Sequence, residues 1–327
     1  MRVLITGADG LLGSHLVREL LADGHEVNAF VHHQSTSPTL SGLPVRRFKG
    51  DILNARDLET AIQNCEVVIH AAANTSVWPT RSELTRRVNL EGTQRVAEAA
   101  LRQGVRRFIY ISSASAFQPG PKSNPGDESR PYVEGSLPLD YIESKYHAQQ
   151  FVLKAVEEQG LPAVIINPTF MFGEYDSLPS SGKMILAIHQ GKLPGYSSGG
   201  KNFVYAKDVA RASINAITKG RLGECYIAGN SNLSYRELFD AIACVTGAKP
   251  PRIKFPDALM LSYGYIGTLI GTVFRQPPTL NHATAKVSCM GQYYSPQKAV
   301  AELDLPQTPI ETAIRSAFDW FNQHQYC

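Results

Sequence analysis

The sequence predicts an α/β fold, a doubly wound parallel sheet followed by a smaller and less regular region. Three observations predict it. Short apolar runs alternate with helical stretches from residue 2 to about residue 172. The first apolar run feeds a turn built on three glycines, and a helix starts directly after it. Beyond residue 173 the alternation weakens, and Gly, Ser and Pro become frequent.

Composition narrows the class. The 327 residues suffice for one large α/β unit or two modest ones. Apolar residues at 43% and charged residues at 19% describe an ordinary soluble globular chain. A net charge of +3 with no basic run leaves nucleic acid without an electrostatic footprint. The five cysteines, Cys65, Cys225, Cys244, Cys289 and Cys327, make no C-x-x-C and no Cys/His cluster, so no metal site is expected. Scattered thiols and a start at Met1 without an export signal lead us to expect a reducing cytoplasm. Residues 258–274 carry no charge but include Gly264, Gly267 and Gly271. A membrane-spanning helix needs about 20 apolar residues. We therefore expect a buried or lid helix here and no stable span.

The elements follow in order. Residues 2–6 form a central strand, and Gly7-Ala8-Asp9-Gly10-Leu11-Leu12-Gly13 follows at once. Residues 14–22 are helical. In this strand–turn–helix context each glycine has a physical task. Gly7 permits the tight turn, Gly10 lets main chain approach a pyrophosphate, and Gly13 lets helix pack on strand. The free N–H groups of the first helical turn, at Leu11 and Leu12, then face the phosphates. Residues 27–31 are the second strand. It ends in His32-His33-Gln34-Ser35, where dinucleotide-binding folds selecting NAD usually place a carboxylate for the adenosine ribose. With none there to repel a 2′-phosphate, we expect NADP(H) rather than NAD(H), with His32 at the phosphate.

Residues 45–49 make a third strand ending at Gly50-Asp51-Ile52, residues 55–64 a helix, and residues 66–70 a fourth strand that runs into Ala71-Ala72-Ala73. These small residues leave room for a ligand at the strand's end. His70 packs within the sheet. Residues 81–103 read as one long helix whose apolar stripe is interrupted by Asn89 and Thr93. Residues 106–111 are the fifth strand, exiting at Ser112-Ser113-Ala114-Ser115. Residues 118–136 are a long loop, a length that often serves function. A helix then carries Tyr141 and Lys145, four residues apart and so on one face. An ammonium beside a phenol favours the phenolate, which makes the pair a candidate general acid/base unit. A sixth strand at 163–167 leads to Pro168-Thr169-Phe170. Later elements are a strand from 202 to about 209, a helix from there to 218, and helices at 234–246 and 309–321.

Taken together these motifs resemble the extended short-chain dehydrogenase/reductase family, whose core is a Rossmann fold. Thr6-Gly7-x-x-Gly10-x-x-Gly13 is similar to its dinucleotide fingerprint, Gly50-Asp51-Ile52 to its adenine-contacting turn, and Val88-Asn89-Leu90-Glu91-Gly92-Thr93 to the asparagine motif of its central helix. Ser113, Tyr141 and Lys145 fall where the family keeps its triad. Asn167-Pro168 resembles the nicotinamide segment, and Tyr294-Ser295-Pro296 a C-terminal motif.

The resemblance implies a Rossmann domain over residues 1–172, with 202–230 returning to it, and a substrate-binding region over 173–327. It implies catalysis by Ser113, Tyr141 and Lys145, with Asn89 holding a relay water. It places the cofactor along Gly7–Gly13, His32, Asp51, Ile52, Ala71–Ala73, Ser112, Tyr141, Lys145, Pro168 and Phe170. Within the family, sugar-nucleotide epimerases and dehydratases usually show Arg-Asp-Phe where this chain has Lys201-Asn202-Phe203. Lysine lacks the bidentate fork that grips a diphosphate. The expectation is therefore hydride transfer to or from a small, largely apolar carbonyl or alcohol, with sugar-nucleotide epimerisation or dehydration as the alternative. Ser115, Phe117, Phe172, Met184 and Tyr205 are the expected substrate contacts. The long helices at 81–103 and 138–159 are candidates for homodimer pairing.

Overall fold

A computed structural model describes all residues from 1 to 327. Seven parallel strands form the central sheet. Six are β1 (Arg2–Thr6), β2 (Glu26–His32), β3 (Arg46–Gly50), β4 (Val67–His70), β5 (Arg107–Ile111) and β6 (Ala163–Pro168). The strand Cys225–Ala228 pairs beside β6, giving the order 225–228, β6, β5, β4, β1, β2, β3. The chain winds outward from β1 in both directions, so the β1/β4 junction opens a crevice at the strands' carboxyl ends.

The nearly continuous apolar runs reflect burial on both faces. Period-2 alternation splits each strand between two cores. Val3 and Ile5 of β1 join Val27, Val67 and Ile69 under helices Leu11–Ala22 and Ala206–Lys219. Leu4 joins Phe30, Val68, Phe108 and Ile165 on the other face, under helices Gly92–Gln103 and Asp140–Gln159.

After β6 the chain leaves the large sheet. Phe170–Phe172 pairs with Gly200–Tyr205 in a smaller sheet, flanked by Ser231–Ser234 and Gly291–Gln292. Helices Lys183–His189, Tyr235–Thr246 and Ile310–Gln323 close a third core over Phe172, Phe203, Leu238 and Phe321. Residues 200–205 thus belong to the small sheet, while 206–228 lie with the large one.

Two expectations change. The single helix over 81–103 begins at Glu83, where the Ser82 side chain accepts from Thr85 N, and it widens into a π-turn over Arg87–Glu91. Such a bulge swings a side chain out of the ordinary 3.6-residue register, and here it places Asn89. The uncharged stretch is a helix, Asp257–Phe274, but it is not buried. Leu259, Tyr263, Ile266, Ile270, Val273 and Phe274 are each more than half exposed.

Candidate active site

The glycine turn has the shape its spacing predicts. Gly7 has φ +68°, and a Cβ there would come within 2.8 Å of Ala72 backbone. A Cβ on Gly13 would meet Gly7 O at 2.0 Å, so helix Leu11–Ala22 could not seat against the turn. Gly10 differs. It is exposed, and its nearest neighbour to a Cβ would be Gly7 O at 3.4 Å. Nothing in the packing demands glycine there, and no side chain caps the helix it begins. Bare main chain and unpaired N–H groups of the first helical turn suit an anionic ligand. The residues present therefore fit a dinucleotide pyrophosphate. The three alanines continue the lining, with Ala72 N donating to Thr6 Oγ1 at 3.2 Å. His70 lies buried between Thr6 Oγ1 (2.7 Å) and Thr93 Oγ1 (3.0 Å). Burial pulls its pKa down to about 3, so it is neutral and structural.

At the opposite corner His32 and His33 stand exposed with ring centroids 4.1 Å apart. The sequence reading missed a third group here. The Asp9 carboxylate, inside the glycine turn, accepts from Ser35 Oγ and from Ser37 Oγ at 3.0 Å. The end of β2 thus has a carboxylate after all, supplied from the facing turn. Asp51 Oδ1 accepts from Leu53 N at 2.9 Å and shapes its own turn, while Ile52 is buried beneath Gly92.

The acid/base residues gather past the end of β5. The Ser113 and Ser115 hydroxyls are 2.8 Å apart. The Tyr141 phenol is half-buried, and desolvation raises its pKa while the Ser113 hydroxyl opposes the rise. Lys145 is 3% exposed, and its Nζ donates to Ile111 O at 2.8 Å. Burial brings its pKa down to about 7. This corrects the expected electrostatics: with the amine docked on the end of β5, the phenol stays above its ordinary value.

Asn89 Oδ1 accepts from Asn74 N at 2.8 Å, and its Nδ2 donates to Asn74 O and to Ser144 Oγ, both at 3.0 Å. The amide clamps the Ala71–Asn74 segment to the Tyr141 helix. Gln149, given no site role in the sequence reading, accepts from Ser112 Oγ (2.8 Å) and Asn167 Nδ2 (2.6 Å). It lies four residues after Lys145, and a polar side chain on that buried stripe was the available signal. Ser112 is accordingly structural.

The expected substrate contacts divide. Phe172 is fully buried and stacks on Phe203 at 5.7 Å. Tyr205 is buried, its hydroxyl donating to Glu174 at 2.8 Å with the Ser316 hydroxyl 3.2 Å away. Phe117 is buried against the Tyr294 core. All three pack the frame: the strand pairing turns Phe172 and Tyr205 inward, and Phe117, just after the turn at 114–116, is held by its bridge to Pro131. Met184 packs against the third core. Ser115 stays beside Ser113, and Phe170, expected along the cofactor, is half-buried with Lys201 Nζ 4.9 Å over its ring. Desolvation lowers Lys201 to about 8. A cavity of about 500 Å³ lies elsewhere. It opens between the Tyr141 helix and residues 81–90, lined by Arg81, Arg86, Asp140, Glu143 and His147. Arg81 bridges Asp140 and Glu143 across it, so it is an ion-paired surface cleft that holds none of the triad.

Fold and site together define an α/β nicotinamide-dinucleotide enzyme with a Ser–Tyr–Lys set. The chain belongs to the NAD dependent epimerase/dehydratase family, whose model matches residues 3–229, and is an NAD(P)-dependent oxidoreductase of the extended short-chain type. It is 33% identical over 98% of its length to a putative dihydroflavonol 4-reductase of Synechocystis sp., covering 95% of that protein. It is 31% identical to sterol demethylase protein B of Methylococcus capsulatus, with 99% of each chain covered. Among solved structures, gox2253 superposes with a TM-score of 0.87 at 32% identity over 98% of both chains.

Proposed function

We propose that the protein moves a hydride between nicotinamide C4 and the carbonyl or secondary alcohol of a small, largely apolar substrate. Tyr141 acts as general acid/base, Ser113 hydrogen-bonds the substrate oxygen, and Lys145 positions the nicotinamide ribose. The observation that carries this reading is a phenol kept protonated at neutral pH beside a serine hydroxyl, at the end of the crevice that the glycine turn opens. A bound nicotinamide supplies the hydride, and the protein supplies orientation and the proton. Relatives named as dihydroflavonol and sterol enzymes support a ring ketone or alcohol over a sugar diphosphate. The five unpaired cysteines support work in a reducing compartment, the cytoplasm. The end of β2, with His32, supports NADP(H). Asp9 favours a second reading, NAD(H), because its carboxylate sits where a 2′-phosphate would meet like charge.

The test is absorbance loss at 340 nm with NADPH or NADH over a panel of apolar ketones. Turnover lost in Tyr141→Phe supports the assignment. Tightly retained NAD without net oxidation would move the protein to the epimerase branch. Asp9→Asn raises relative NADP(H) affinity roughly tenfold if Asp9 selects the cofactor, and leaves the ratio unchanged if His32 does.

A further inference from the structure

Helix Asp257–Phe274 is built inside out. Its protein-facing stripe is small: a Cβ on Gly264 would lie 2.6 Å from Ala285 Cβ, and one on Gly267 would meet Leu280 O at 2.3 Å. Gly271 lies against Trp78 and Pro278 in the same way. Its solvent-facing stripe holds the large apolar residues, with Tyr265 and Leu269 beside those named above. No charge interrupts the helix between Asp257 and Arg275. Exposed apolar area on this scale marks an interaction site.

Charge identifies the partner. Lys249, Arg252 and Lys254 are exposed just before the helix, and Arg275 just after it. Asp257 is the one acid among them. In an antiparallel pairing with a second copy, Arg275 would face the other chain's cationic end, cation against cation. An anionic lipid surface complements both ends at once, and the two exposed tyrosines suit the headgroup level. The helix has 18 residues, ~27 Å at 1.5 Å each. Its glycine stripe is fixed to protein, so lipid can reach only one side and the helix lies in the interface plane.

The helix also adjoins the active site. Helix His282–Cys289 packs against it, with His282 N donating to Thr268 Oγ1 at 2.9 Å. Ala283 and Val287 of that second helix share a buried cluster with Leu139 and Ile142, and Tyr141 packs against the same cluster. One layer of helix separates the exposed apolar face from the catalytic phenol.

We infer that Asp257–Phe274 is an interfacial anchor that beds the active-site side of the protein on an anionic bilayer. Delivery of apolar substrate from that bilayer rests on the function proposed above, whereas the anchoring does not. Flotation of the full chain with phosphatidylcholine vesicles, with and without phosphatidylglycerol, tests it without substrate. The wild-type protein floats with the anionic vesicles and is released by high salt. The triple variant Ile266→Glu, Ile270→Glu, Val273→Glu partitions at least ~10-fold less, while its circular dichroism and its turnover of a water-soluble ketone match wild type. Wild-type protein that stays soluble with anionic vesicles overturns the inference. So does light scattering that shows a wild-type dimer which the triple variant turns into a monomer, since a second copy then covers the face. Flotation without ketone turnover would overturn the proposed reaction and leave the anchor standing.

Discussion

The two ends of the crevice are held by different means. On the cofactor side, Gly7 and Gly13 act by what they lack, since a Cβ on either would meet backbone at 2.0–2.8 Å. On the substrate side, the crevice is framed by side chains that reach it from distant parts of the sequence: Phe170 from the small sheet, Tyr294 from near the C-terminus, and the Phe117–Tyr132 loop pinned through bridges from Gly120 to Tyr293 and Gly126 to Tyr294. The first kind of site tolerates almost no change and binds one shape of ligand. The second kind can be repacked residue by residue, which is how one fold serves many substrates.

The largest effect expected from this contrast is at Gly13. Gly13→Val drives a side chain into Gly7 O and the Ala8 backbone, neither of which can rotate away. Coenzyme binding should vanish by calorimetry, with a loss of about 3 kcal/mol in folding stability. Gly10→Ala, by contrast, should fold normally and weaken only coenzyme binding. If Gly10→Ala unfolds as Gly13→Val does, the turn is a packing device rather than a ligand cradle. Next in size is Tyr141→Phe, which removes a proton donor without removing volume. Turnover should fall roughly 10²–10⁴-fold, with coenzyme affinity and melting temperature near wild type.

This asymmetry also governs what could be read from the sequence. The glycine turn, the Ser113–Tyr141–Lys145 set and the strand alternation were legible because each depends on residues a few positions apart. Asp9 escaped because its partners, Ser35 and Ser37, arrive from the next strand's exit, and a motif position written as "any residue" hides that. Phe172 and Tyr205 were misread because aromatic residues near a crevice are equally good core, and only the pairing of Phe170–Phe172 with Gly200–Tyr205 decides which way they face. The outward apolar face of Asp257–Phe274 was invisible for the same reason: composition shows an uncharged helix, and the glycine stripe decides which side meets the protein.

Lys145 tests whether the cofactor side carries an electrostatic cost of its own. Its folded pKa of about 7 lies below that of an exposed lysine, so protonation opposes folding. The penalty is full below pH 7 and fades as pH rises towards 10.5, where the unfolded chain also gives up the proton. Lys145→Met should therefore melt higher than wild type at pH 6, with the gain shrinking steadily to pH 10, while turnover is lost. A melting gain independent of pH would mean that the amine keeps its ordinary pKa in the folded protein and that burial does not oppose its charge. His70, drawn down to about 3, adds a separate loss of stability between pH 6.5 and 3 that this variant leaves in place.

The smallest expected effect sharpens the contrast most cleanly, because one substitution can be made on both sides. Ser234 caps helix Tyr235–Thr246 in a reciprocal box, its hydroxyl accepting from Glu237 N at 3.2 Å and Glu237 accepting from Ser234 N at 2.7 Å. Ser82 caps the segment that leads into the π-turn, accepting from Thr85 N at 3.2 Å. Ser→Ala at a cap costs about 1 kcal/mol in either place. Ser234→Ala should show that loss in melting temperature and leave kcat alone, because the apolar face of the helix it starts packs into the third core. Ser82→Ala loosens the turn that seats Asn89, and Asn89 holds Asn74 and Ser144 in register with Tyr141. It should lower kcat severalfold at unchanged KM for a similar loss in stability. Equal kinetic behaviour of the two variants would show that the asparagine clamp does not position the phenol, and that the two sides of the crevice are less distinct than their packing implies.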